Sequence, residues 1–283
     1  MIFDDRALDL GEGPIWHPER EQFFWFDIRS GHLLSRDKTG PLMWEIGENA
    51  SVAGWVDRDT FLIGTETRLL TLNLTTGAQT DIAPLEADNP ITRSNDGRAD
   101  PFGGLWIGTM GKTMLPNAGA FYRYYRGEIR KLYDGITVPN ACCFAANGDF
   151  AHFADTTAKI VMRVALDSHG WPKGNPEPWL DLRAEGLLPD GAVLDADGNF
   201  WCALYKSGRV AAYDKNANFV RSLDFPASQT TCPAFGGPDL TTLYCTSATQ
   251  KLPPEDLAAN PDHGRTFALH DVARGLPETK VIL

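Results

Sequence analysis

Four short segments of this chain set an oxygen-bearing side chain within two residues of a glycine or proline. They are Leu10-Gly-Glu-Gly-Pro14 with Glu12, Arg93-Ser-Asn-Asp-Gly97 with Asn95, Val138-Pro-Asn-Ala141 with Asn140, and Leu188-Pro-Asp-Gly191 with Asp190. Two carboxylates and two amides form a hard-oxygen donor set that suits Ca²⁺, Mg²⁺ or Mn²⁺ rather than a closed thiolate zinc site. Carboxylates aimed at one place repel, and a divalent cation offsets that repulsion. Any one segment alone reads as a strand-ending turn, which Asn, Asp, Gly and Pro favour. The ion-site reading requires that all four converge although they are far apart in the chain.

A repeat supplies the convergence. Short runs rich in Phe, Trp, Tyr, Val and Ile, bounded by turn residues, mark strands throughout. One aromatic-rich run recurs at Gln22–Asp27, Thr60–Gly64, Gly104–Gly108, Asp149–Ala154, Asn199–Ala203 and Thr242–Thr246. Spacings of about 40–50 residues match propeller blades. The first strand of a propeller blade lines the central channel, so residues at its entrance meet whatever their sequence separation. Read backwards from each aromatic strand, Glu12, Asn95, Asn140 and Asp190 fall at that entrance in blades one, three, four and five. Blades two and six present Ala50–Val52 and Thr231–Pro233 at the same phase. The pattern predicts an all-β, six-bladed β-propeller, a single domain over residues 1–283, with a central metal-binding channel. Arg6–Leu10 is the spare strand expected to close the ring beside Thr279–Leu283, and Pro254–Asn260 and Asp181–Leu187 are the short helical candidates.

Composition narrows the partners. The 26 basic and 37 acidic residues give a net charge of −11, against the basic clustering that nucleic-acid binding needs. No apolar run approaches the roughly 18 residues of a membrane span. With Asp4, Asp5 and Asp9 in the first ten residues, no signal peptide is expected. Five cysteines without CxxC spacing read as reduced, mostly core thiols of a cytoplasmic protein. Asp195-Ala-Asp-Gly-Asn199 imitates the start of a calcium loop, but no closing Glu or flanking helices follow, so it reads as a β-turn. The six histidines lack ligand spacing, and no nucleophile-elbow motif is present.

The sequence resembles the senescence marker protein/gluconolactonase family, the regucalcin-like and luciferin-regenerating-enzyme-like sugar lactonases. The resemblance rests on Leu10-Gly-Glu-Gly-Pro-Ile-Trp16, Arg93-Ser-Asn-Asp-Gly97 with Leu105-Trp-Ile-Gly-Thr-Met110, Val138-Pro-Asn140, and Pro189-Asp-Gly191 with Asp195-Ala-Asp-Gly-Asn-Phe-Trp201. It spans essentially the whole chain. It implies a propeller holding one divalent ion in its channel, Ca²⁺ first among candidates that include Mg²⁺, Mn²⁺, Zn²⁺ and Fe²⁺. Carried over residue by residue, the ligands are Glu12, Asn140 and Asp190, and the substrate contacts are Arg93 and Asn95. The implied activity is hydrolysis of a sugar (aldono-) lactone to its sugar acid. One departure stands out: regucalcin-like members carry an acidic substrate contact in a longer loop where this chain has Lys112-Thr-Met-Leu-Pro-Asn117.

Three protein ligands leave coordination positions for water and substrate, as a catalytic ion requires. Asp190 is then the natural general base, with Glu12 and Asn140 mainly positioning. Arg93 can hold a lactone or hydroxyl oxygen through its donor fork, and Asn95 can donate to a sugar hydroxyl or a water. Selectivity is expected to rest on Arg93, Asn95 and nonpolar wall residues. A non-catalytic calcium-binding or interaction propeller is the alternative class, because fold does not dictate function. Arg93 and Asn95 favour the enzyme, since a pure calcium site would use more carboxylates. The expected partner is a small sugar lactone, with neither nucleic acid nor membrane, and the protein is expected to be a monomer or weak homo-oligomer.

Overall fold

The computed structural model describes residues 1–283 as six four-stranded antiparallel sheets. The innermost strands are Gly11–His17, Ala50–Asp57, Thr92–Ala99, Pro139–Phe144, Leu188–Leu194 and Thr230–Gly236. The aromatic runs form the second strands: Gln22–Asp27, Thr60–Thr65, Leu105–Gly111, Phe150–Asp155, Phe200–Tyr205 and Thr242–Ser247. Their alternating side chains fill the spaces between blades: Phe24 meets Phe61 edge-on at 5.0 Å, and Trp106 meets Phe144 at 5.3 Å. These residues are wholly buried or nearly so. The long period read from the sequence is therefore the blade period, and the aromatics are packing residues.

Ring closure differs in detail from the expectation. The outermost strand of the last blade is Ile2–Asp4, paired antiparallel with Thr266–Leu269. Arg6–Leu10 is not a strand; it carries the chain from that outer edge to the first inner strand, with Leu8 N bonded to Gly264 O at 3.0 Å. Phe3 decides the matter. Its ring packs against Phe23, Trp25 and Tyr244 at 4.9–5.7 Å, joining blades six and one, whereas Arg6 is held by Asp4 and by the carbonyls of Ser35 and Leu42. Thr279–Leu283 joins no sheet. The C-terminal segment crosses the face opposite the four motifs, where Glu278 pairs with Arg98, Val281 N bonds Trp55 O at 2.8 Å and Ile282 N bonds Gly103 O at 2.9 Å. Pro254–Ala259 is helical as expected, but Asp181–Leu187 is the end of a strand followed by turns.

Every innermost strand slips register once near its entrance, gaining one residue on its partner: between Glu12 and Ile15, Ala50 and Val52, Ser94 and Gly97, Asn140 and Cys143, Pro189 and Ala192, and Thr230 and Pro233. Such bulges bend a strand and re-aim its side chains, here six times around one axis. All five cysteines are buried free thiols. Asp195 spends its carboxylate on Asp197 N, Asn199 and the Trp201 indole, as a turn residue does.

Phe3→Ala should lower the unfolding free energy by about 2–3 kcal/mol, the cost of deleting a largely buried aromatic from a cluster. Chemical denaturation measures it. A loss under about 0.5 kcal/mol, the scale of a neutral surface change, would show that closure does not depend on this strand.

Candidate functional site

The channel entrance brings Glu12, Arg93, Asn95, Asn140 and Asp190 together on one cavity of about 420 Å³. That volume lies within the roughly 300–1,000 Å³ of small-molecule sites. All five side chains are at least nine-tenths buried. The local sequence explains their aim. Gly13 follows Glu12 at φ 52°, and a Cβ there would lie 2.0 Å from Ser51 O, so only glycine permits the bulge that turns Glu12 inward. Gly191 follows Asp190 where a Cβ would meet Cys232 Sγ at 2.1 Å, which lets the inner strands of blades five and six approach. Cys232 thus serves as a small buried filler.

Glu12 and Asp190 place two buried carboxyls close enough to act on each other's charge. Burial, reinforced by the nearby Asp96 charge, pushes Glu12 up to about 8. Burial, then the Glu12 and Asp96 charges, raises Asp190 well above the carboxylate range. Asp96 itself is pushed up to about 6 by burial, although the Cys142 amide donates to it at 2.8 Å. Arg93 is lowered by burial to about 10, with Glu12 opposing the shift, and stays cationic at neutral pH. Without a counter-cation, then, burial and mutual repulsion hold both carboxyls toward their protonated forms.

The amides are oriented by a directional chain of hydrogen bonds. Arg93 Nη1 donates to Asn95 Oδ1 at 2.9 Å; Asn95 Nδ2 donates to Asn140 Oδ1 at 3.0 Å and to Pro139 O at 2.9 Å. Asn140 Nδ2 donates to Thr156 Oγ1 at 2.7 Å, and that hydroxyl donates to Pro189 O at 2.7 Å. Each link dictates which end of the next amide is oxygen, so Asn140 Oδ1 is held toward the site. Asn95 spends both amide protons here, and donation to a sugar hydroxyl would require one of those bonds to open. Blades two and six lack ligands because their hydroxyls fasten neighbouring blades: Ser51 Oγ to Ser94 Oγ at 2.8 Å, and Thr231 Oγ1 to Gly11 O at 2.5 Å.

Thr156 follows the second strand of blade four, and the sequence reading missed it. The other unexpected residues share that position in the repeat. Arg29, Lys112, Tyr205–Lys206 and Gln250–Lys251 all lie at or just beyond the ends of second strands and line the cavity. The wall accordingly adds cations to the nonpolar residues expected: Leu10, Met110, Val138 and Leu188 line it together with Arg29, Lys112, Lys206 and Lys251. Reading the repeat at the end of each second strand, as well as at the start of each first, would have found them.

The SMP-30/Gluconolactonase/LRE-like region family model matches residues 10–249. The chain belongs to this family. A pentonolactonase of Haloferax volcanii is 32% identical over 284 residues, covering 97% of this chain and 95% of that protein. The crystal structure of a calcium-binding protein, regucalcin, from Agrobacterium tumefaciens is 36% identical with a TM-score of 0.97, covering 100% of this chain and 97% of that one. A luciferin-regenerating enzyme superposes with a TM-score of 0.90 at 22% identity over 98% and 96% of the two chains, a likeness of fold. The six-bladed architecture is thus common to this chain and to solved structures.

Thr156→Val should leave Asn140 Nδ2 and Pro189 O without partners and free the amide to rotate. Manganese or calcium binding, measured by titration calorimetry, should weaken about tenfold, or ~1.4 kcal/mol, and Thr156→Ser should restore it. Wild-type affinity in the valine variant would mean that the hydrogen-bond chain does not orient the site.

Proposed function

We propose that the protein is a metal-dependent hydrolase that opens a sugar (aldono-) lactone to its sugar acid. The observation that carries this reading is the pair of buried, facing carboxyls of Glu12 and Asp190, with the oriented amide of Asn140, on the floor of a small-molecule cavity. The donor chemistry fits a divalent cation. All three side chains offer hard oxygens, and a bound cation would relieve the repulsion between the two buried carboxylates. The amide of Asn140 would supply the third donor beside the two carboxylates. An ion held by Glu12, Asn140 and Asp190 would polarise the lactone carbonyl as a Lewis acid and favour the charge that develops on its oxygen. Calcium suits the set best, because its six to eight oxygen ligands leave room for water and substrate beside three protein side chains.

The chain's own residues then have separate tasks. Asp190 accepts at its carboxylate the proton of the attacking water and returns it to the ring oxygen that leaves as the acyl C–O bond breaks. Glu12, tied to the Gly13 amide at 3.1 Å, keeps its position as a ligand. Arg93 spends Nη1 on Ser94 O and Asn95 Oδ1 and offers its remaining N–H groups to lactone or hydroxyl oxygens. The buried floor excludes bulk water, which strengthens these interactions. The relatives support the reading: one is named a pentonolactonase, and another is described as a calcium-binding protein. That second description also sustains a non-catalytic calcium-binding role as the alternative. Buried free thiols in all five cysteines favour a cytoplasmic setting.

Asp190→Asn keeps an oxygen donor but removes the base. Turnover should fall by ~10²-fold or more, while metal affinity falls less. Glu12→Gln should lose metal affinity first and regain part of its rate at high metal concentration. The test is pH-stat titration of an aldonolactone panel against metal concentration, with chelator controls and spontaneous hydrolysis subtracted. Full restoration of Asp190→Asn by saturating metal would reduce Asp190 to a ligand. A wild type that hydrolyses no lactone at any metal concentration would leave the calcium-binding reading in place.

A further inference from the structure

The rim of the cavity is charged against the trend of the whole protein. Lys and Arg make up 26 of 283 residues in a chain of net charge −11, yet five of the nineteen residues around this cavity are cationic: Arg29, Arg93, Lys112, Lys206 and Lys251. The only acids among the nineteen are Glu12 and Asp190 at the floor. Two of the cations are partly neutralised from outside, Arg29 by Asp9 at 3.3 Å and Lys112 by Glu66 at 2.9 Å. Lys206 and Lys251 meet no carboxylate. The Lys206 ammonium lies 5.9 Å from the Tyr205 ring centroid, and Lys251 donates only to Met114 Sδ at 3.3 Å.

Both lysines leave defined turns. Lys206 sits at φ 66° beside the bond from Ser207 N to Leu204 O, at 3.0 Å. Lys251 sits at φ 59° beside the bond from Leu252 N to Thr249 O, also 3.0 Å, and Gln229 Nε2 holds the preceding carbonyl of Gln250 at 3.0 Å. The backbone thus sets where each ammonium stem begins. Like charges around one concavity repel each other and focus a positive potential into it. A neutral sugar does nothing to relieve that, and ammonium groups, which only donate hydrogen bonds, match half of a hydroxyl's capacity. An anionic group relieves the repulsion and accepts from every donor.

We propose that the preferred substrate is an anionic sugar lactone, bearing a carboxylate or phosphate at the carbon remote from the lactone carbonyl, with Lys206 and Lys251 as its specificity residues. This rests on the lactonase reading. The lactone carbonyl is at the floor with Glu12, Asn140 and Asp190, and the anionic end lies at the rim. The new carboxylate of the product forms at the floor, so a rim that served only that group would treat neutral and anionic lactones alike.

The test pairs substrates that differ only at the remote carbon: an aldonolactone, the matching aldaric acid monolactone, and the matching 6-phosphate lactone. Wild-type kcat/KM should favour an anionic member about tenfold or more at low salt, and the preference should shrink as ionic strength rises and the Debye length falls from about 30 Å to about 3 Å. In Lys206→Gln/Lys251→Gln the ratio of anionic to neutral kcat/KM should drop about tenfold, mostly through KM. Comparison of the carboxylate and phosphate members identifies which anion the rim prefers. A wild-type ratio near one, or a ratio that the double substitution leaves unchanged, overturns the proposal while lactone hydrolysis stands. Absence of hydrolysis for all three substrates overturns the lactonase reading, and this inference with it.

Discussion

Glu12 and Asp190 arrive from blades one and five and face each other in a place where neither is more than 6% exposed. Two like charges cannot persist so close without water or a counter-ion. The site therefore has two stable conditions, a retained proton or a bound cation, and the surrounding architecture serves to hold that contact rather than relax it. A carboxylate pair on a flexible loop would simply move apart. Here each member sits at a bulge of an inner strand packed between two blades, and the ring leaves no direction in which to retreat.

The same need for rigidity explains features that have no chemistry of their own. Ser51 and Thr231, at the entrance positions of the two blades without ligands, bond across blade boundaries. The relay from Arg93 through Asn95, Asn140 and Thr156 to Pro189 runs across blades three, four and five. It settles the orientation of two amides that could otherwise flip at little cost. Closure by Ile2–Asp4 under the Phe3 ring completes the circle, so the geometry at Glu12 depends on residues from both ends of the chain.

The blades and the convergence of Glu12, Asn95, Asn140 and Asp190 were legible in the sequence because both follow from one period. An aromatic strand every 40–50 residues sets the blade, and its phase sets the channel position. Closure was legible only in kind. Arg6–Leu10 has as much strand character as Ile2–Asp4, and the choice depends on where Phe3 finds an aromatic pocket, a long-range contact that no local pattern encodes. Thr156, Lys206 and Lys251 were missed for another reason. They sit in turns whose composition is ordinary, and their importance appears only when the loops after second strands are seen to crowd the same mouth as the first-strand entrances.

The central claim is that the Glu12–Asp190 contact exchanges a proton for a divalent cation. It is tested most directly by titrating calcium or manganese into metal-free protein at pH 7 in two buffers of different protonation enthalpy. The account predicts one tight site that releases about one proton per ion bound, because the ligands must be deprotonated to hold metal, with release diminishing as the pH is raised and the pair gives up its proton without metal. Tight binding without proton release at pH 7, or no binding, would contradict it.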